Sequence, residues 1–181
     1  TPHAATVTVN KVEGGNSLVV ASVTYDGADA LTITNAYDAK GTAELKVQKS
    51  FGDQAWPGSR TFDFELSATG ENTPKPASAK IEGVNDSTAR SFGQISYKLS
   101  DLTKTDAADG LKYDDFTYAV REVVPQDTKG VAYDKADHTI TVRVKDAGDG
   151  TLAVSYAPAE GDSSWQVVTS EGRAVACTAT I

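Results

Sequence analysis

Nearly every segment of the chain alternates apolar and polar residues with a period of two, in short runs rich in Val, Thr, Ile, Tyr and Phe. Successive side chains of a strand face opposite sides, so this period belongs to half-buried β-strands and not to an amphipathic helix. Gly, Asp, Asn and Pro gather between the runs, where turns need them. The expected strands are Ala5–Val9, Leu18–Tyr25, Leu31–Tyr37, Ala43–Phe51, Thr61–Ser67, Ser91–Leu99, Phe116–Val124, Thr139–Lys145, Leu152–Tyr156, Trp165–Val168 and Val175–Ile181. No segment makes a long helix. Many short antiparallel strands joined by turns predict an all-β chain folded as a sandwich.

Charge and cysteine content narrow the function. A net charge of -8 and a pI near 4.7 argue against nucleic acid, whose readers gather Lys and Arg into a basic face. No apolar run is long enough to span a bilayer, so membrane insertion is not expected. The single Cys177 cannot form a disulfide within the chain, and no Cys/His cluster suggests a metal site; no cofactor is expected either. The absence of methionine and the start at Thr1 read as a mature segment or an excised fragment.

A partial internal repeat sets the expected organisation. His3–Val9, Leu18–Tyr25 and Leu31–Tyr37 follow the same order as His138–Val144, Leu152–Tyr156 and Val175–Ile181. On this reading residues 1–37 are the C-terminal strands of a preceding repeat, and residues 38–181 are the next repeat lacking the end of its last strand. The stretches Gly70–Ser78 and Ser100–Gly110 read as surface excursions.

Phase along the strands places three polar side chains with the apolar ones. Lys49 shares a face with Leu45, Val47 and Phe51; Glu122 with Phe116, Tyr118, Val120 and Val124; Asn35 with Leu31, Ile33 and Tyr37. Burying such groups alone costs several kcal/mol or more, so they are expected to be paired or neutral. A buried Lys/Glu ion pair, or strand ends where both groups reach the wet rim, would also satisfy the pattern.

The strings AELKVQKSFG, FDFEL, SFGQISYKLSDL, FTYAVREVVP, YDKADHTITVRVKDAGDGTL and TITNAY resemble the pilin isopeptide-linkage domains of Gram-positive bacteria, the streptococcal backbone-pilin type, related to collagen-adhesin B-type modules. The resemblance runs through residues 38–181 and takes residues 1–37 as the end of another copy. It implies an Ig-like antiparallel β-sandwich with Greek-key-type connections, on an extracellular, cell-wall-attached surface. It also implies that a lysine on the first strand bonds to an asparagine on the last, with a glutamate between them. By motif these are Lys49 in VQKSF, Asn35 in TITNAY and Glu122 in YAVREVVP.

Burial favours a neutral amine and a protonated carboxyl, the forms this condensation needs, and Glu122 would shuttle protons as ammonia leaves. Such a step is a single-turnover self-modification, so the chain is not expected to be an enzyme. Aligning Leu31 and Ile33 with Ala179 and Ile181 puts the asparagine of the second repeat two positions past Ile181. Asn35 would then bond either to a lysine of the preceding repeat or to Lys49, with Leu31–Tyr37 complementing a domain head to tail between chains. Within one chain that complementation is awkward, because parallel neighbours need about a dozen connecting residues and only Asp38–Thr42 is free. Loose packing of residues 1–37 as a truncated neighbour, with no bond, is the alternative.

Other signals are weaker. DAGDGT at Asp146–Thr151 lacks the ligand series of a calcium loop and reads as a hairpin turn. His3 and His138 begin equivalent strands, Cys177 is in phase with core residues, and Trp56 and Trp165 suit a core or a domain seam. The expected function is a structural repeat of a surface pilus or adhesin, partnered by neighbouring repeats. A module binding a host protein or glycan is the alternative, and an accessory domain of a secreted enzyme a third.

Overall fold

In the computed structural model, residues 2–15 and 17–181 are described. They divide after Tyr37 into two compact units. The first is a hairpin of β1 (Ala5–Lys11) and β2 (Leu18–Tyr25), paired antiparallel from Ala5 opposite Tyr25 to Lys11 opposite Leu18. Val7, Val9, Leu18, Val19 and Val20 are exposed along it. The strand expected at Leu31–Tyr37 is absent: this stretch has no regular structure, and Asn35 is exposed. Alternation prepares a strand, but a strand also needs a ladder partner. Among the described residues β1 and β2 pair only with each other.

The second unit, from Asp38 to Ile181, is a two-sheet sandwich. Its strands are β3 (Lys40–Gln48), β4 (Phe62–Thr69), β5 (Lys80–Val84), β6 (Arg90–Lys98), β7 (Lys104–Thr105), β8 (Lys112–Glu122), β9 (His138–Asp146), β10 (Leu152–Pro158), β11 (Trp165–Ser170) and β12 (Arg173–Thr180). One sheet runs β10-β9-β8-β4-β5, with β7 also on β8; the other runs β11-β12-β3-β6. The chain changes sheet after β3, β5, β6 and β10. Each sheet therefore mixes strands distant in sequence, as a sandwich core requires.

Period-two alternation delivers the core. Leu45 and Val47 of β3, Phe62 and Phe64 of β4, Tyr118 and Val120 of β8, Ile140, Val142 and Val144 of β9, and Cys177 and Ala179 of β12 are buried together. Each large apolar side chain so buried contributes about 1.5–3 kcal/mol. The ladders are antiparallel except one: β12 runs parallel to β3, with Cys177 opposite Leu45 and Thr180 opposite Gln48. The first and last strands of this unit are thus direct neighbours.

The structure departs from the sequence expectation in particular places. β5 and β7 were not foreseen, since β5 is short, polar, and broken by Gly83 at a φ of 72° and a register shift opposite Phe62 and Phe64. β8 starts earlier and stops at Glu122, leaving Val124 exposed. The two expected excursions are tied to the core: Pro74 accepts a hydrogen bond from the Tyr118 hydroxyl, and Leu102 is buried.

Candidate functional site

Lys49 follows the last residue of β3, and its surroundings come from the parallel pairing. Ile181 donates its N–H to Gln48 O at 2.9 Å, and Ser50 donates to Ile181 O at 2.7 Å, so the ladder continues past β3 and brackets Lys49. Alternation then turns Lys49 inward behind Leu45 and Val47. Glu122 ends β8, opposite Phe64 of β4, in phase with the buried Tyr118 and Val120. The two side chains, 5% and 0% exposed, meet with Lys49 Nζ 2.8 Å from Glu122 Oε1.

An aromatic wall encloses the pair. The Lys49 nitrogen lies 5.2 Å from the ring centres of both Phe51 and Phe62, within cation–π range. Trp56 packs edge-on against both rings, and Tyr133 lies 5.5 Å from Phe62. These rings displace water, so every charge in the site interacts more strongly than it would at the surface.

The remaining groups come from the loop between β8 and β9. Asp134 donates its N–H to Glu122 Oε2 at 2.9 Å. Arg60 holds the same loop by donating to Thr128 O at 2.8 Å and Lys129 O at 2.7 Å. Sequence reasoning did not find Arg60, Tyr133, Asp134 or His138 as parts of the site. Their signal was faint, because loop residues carry no periodicity, although Phe51 and Trp56 lie close after Lys49 in the chain.

The structure therefore brings Lys49 and Glu122 together and leaves Asn35 exposed, outside this unit. An amine held against a carboxyl in a dry aromatic pocket is arranged for proton transfer between them. Among the described residues, no group of three or more His, Cys, Asp or Glu is placed to hold a metal ion.

A family model described as FctA, the Spy0128-like isopeptide containing domain, matches residues 45–167. The chain belongs to this family. The match takes in both Lys49 and Glu122 and all the strands from β4 to β10. Membership makes the chain a pilin-type structural domain of a class that contains isopeptide bonds, and implies an extracellular surface location and association with other pilin subunits. No helix is long and apolar enough to cross a membrane among the described residues. No curated protein matches the chain.

Proposed function

We propose that residues 38–181 form a load-bearing module of a Gram-positive, cell-wall-attached pilus or adhesin, stabilised by an isopeptide bond from Lys49 to an asparagine with Glu122 as proton shuttle. The observation that carries this reading is the buried contact of 2.8 Å between Lys49 Nζ and Glu122 Oε1 at the end of the first strand. Glu122 takes a proton from the Lys49 ammonium. The free amine attacks the asparagine carboxamide carbon, a C–N bond to Nζ forms, the C–Nδ2 bond breaks, and the departing nitrogen collects its proton through Glu122 and leaves as ammonia.

The sheet order supports an approach of the asparagine from the line of β12. Both long edges of β3 are taken, by β12 and by β6, so a donor cannot lie beside β3 without displacing one of them. By this register Ile181 lies opposite Lys49, so an asparagine in line with β12, two positions past Ile181, stays on the same face and falls opposite Phe51, one side-chain step beyond Lys49. Leu31–Tyr37 of another copy, occupying that line, would offer Asn35 there. Residues 1–37 are read as the final strands of a preceding repeat, because the β1–β2 hairpin repeats the order of β9–β10. The tie between His3 and Asp26 at 2.6 Å also has a counterpart between His138 and Asp162 at 3.4 Å.

Intact mass under denaturing conditions, with a denaturing gel, tests the crosslink. The expected result is a species lighter by one ammonia, or a covalent ladder, that disappears in Lys49→Ala and in Glu122→Ala. Ammonia loss that persists without Lys49, or no loss even with an asparagine peptide of sequence LTITNAY supplied, would overturn the reading.

A further inference from the structure

The inference that follows rests on the crosslinking role of Lys49 and Glu122, and concerns what holds Glu122 in its working state. The two oxygens of this carboxyl are not equivalent. Oε2 accepts the Asp134 N–H at 2.9 Å, whereas Oε1 faces the Lys49 nitrogen at 2.8 Å and no other donor among the described residues. A backbone N–H donates and never accepts. An N–H donor pairs best with the more basic, unprotonated oxygen of a carboxyl, so a proton taken up by Glu122 is favoured on Oε1, the oxygen that faces the amine.

Asp134 reaches Glu122 from a loop without regular structure, so its N–H must be held there by side chains. Asp134 Oδ1 accepts the Ala136 N–H at 2.8 Å, and Oδ2 meets His138 Nε2 at 3.1 Å. The other ring nitrogen of His138 lies 3.0 Å from Ser164 Oγ and 3.4 Å from Asp162 Oδ1. The Ser164 hydroxyl donates to Asp162 Oδ1 at 2.6 Å, which leaves its oxygen free to accept from His138. His138 thus stitches the loop carrying Asp134 to the loop ahead of β11.

We propose that Asp134 and His138 are positioning residues for the crosslink: they hold the Asp134 N–H on Glu122 Oε2 and keep the exchangeable proton on Oε1, beside Lys49. They touch neither the amine nor the asparagine and act only through Glu122. A histidine tied to an aspartate also stands ahead of β1, where His3 Nδ1 meets Asp26 Oδ2 at 2.6 Å and Ala4 donates to Asp26 Oδ1 at 2.8 Å. This tie is the counterpart of His138 with Asp162, so the histidine's hold on the loop that follows the hairpin recurs.

The test compares the full chain with Asp134→Ala, Asp134→Asn, His138→Gln and Glu122→Gln. Crosslinking to the peptide LTITNAY is timed by intact mass where tryptophan fluorescence shows each variant folded. Asp134→Ala and His138→Gln should slow bond formation by about tenfold or more, the scale expected when a reacting group loses its orientation. Asp134→Asn, which keeps an oxygen to accept the Ala136 N–H but turns an NH2 donor toward His138 Nε2, should recover only part of the rate. In parallel, the amide proton of residue 134 should lie downfield in the parent and move upfield in Glu122→Gln and His138→Gln.

A folded His138→Gln variant that crosslinks at the parental rate, or a residue 134 amide indifferent to Glu122→Gln, would overturn the assignment. If the parent itself never crosslinks, the proposed function fails instead. The amide resonance then judges the clamp by itself.

Discussion

Removing Lys49 while leaving Glu122 tests the energetics of the site most directly. At 2.8 Å the two charges attract with about 6 kcal/mol at an effective dielectric constant of about 20. Desolvation costs several kcal/mol per ion, so the intact pair is close to neutral overall. Lys49→Met removes the attraction and leaves the Glu122 carboxylate with only the Asp134 N–H, so a loss of about 3–5 kcal/mol is expected. The double variant Lys49→Met/Glu122→Leu should lie within about 2 kcal/mol of the parent, because it buries no charge. Urea unfolding of molecules that retain all their ammonia is the assay, read by tryptophan fluorescence, since Trp56 packs on Phe51 and Phe62. With a slope of about 2 kcal/mol per molar urea, the single variant's midpoint should fall by roughly 2 M. A single variant costing under about 1 kcal/mol, or a double variant as unstable as the single, would refute the argument.

Three other perturbations probe the frame around the site. Tyr118 donates to Pro74 O at 2.7 Å, which leaves its oxygen to accept from the buried Tyr97 hydroxyl at 2.9 Å; Tyr118→Phe strands two groups and should cost about 1–3 kcal/mol in urea unfolding, more than Tyr97→Phe. Burial pushes the Asp114 carboxyl up, but hydrogen bonds from Thr103, Lys104 and the backbone outweigh this and bring it from 3.8 to about 2. Its folded value lies below the unfolded one, so its stabilisation of about 2 kcal/mol is present above pH 3.8 and lost as pH falls through about 2; Asp114→Asn should flatten an acid titration of stability in that window. A Cβ on Gly41 would stand 2.8 Å from Leu152 Cβ and Leu152 O, so Gly41→Ala should force β3 away from β10 and cost about 1–3 kcal/mol by thermal or urea unfolding.

Lys49 and Glu122 were legible in the sequence because strand phase is a local property: once Leu45, Val47, Tyr118 and Val120 face the core, their in-phase neighbours follow. The same rule misplaced Asn35 and Val124, since phase decides a face only where the strand persists. β8 ends at Glu122, and Leu31–Tyr37 forms no strand among the described residues. The clamp of Asp134, His138 and Ser164 was out of reach, because its residues sit in or beside loops and converge only through the tertiary fold. The order of strands in the two sheets was equally hidden. Alternation identifies strands without stating which pair.

The parallel neighbourhood of β3 and β12 is what gives a bond at Lys49 mechanical meaning. Under the proposed load-bearing role, tension enters at the start of β3 and leaves beyond the end of β12. Without a covalent tie, that load shears the ladder between Cys177–Thr180 and Leu45–Gln48, which is held by hydrogen bonds worth about 1 kcal/mol each. With Lys49 bonded to an asparagine in line with β12, the load passes along β3 and through the isopeptide. The strands from β4 to β12 then lie inside a closed covalent loop, outside the load path. Their unfolding no longer lengthens the module, and the closed loop restrains the unfolded chain as a disulfide would. With the crosslink at the far end of β3, that strand alone carries the tension and every later strand is relieved of it.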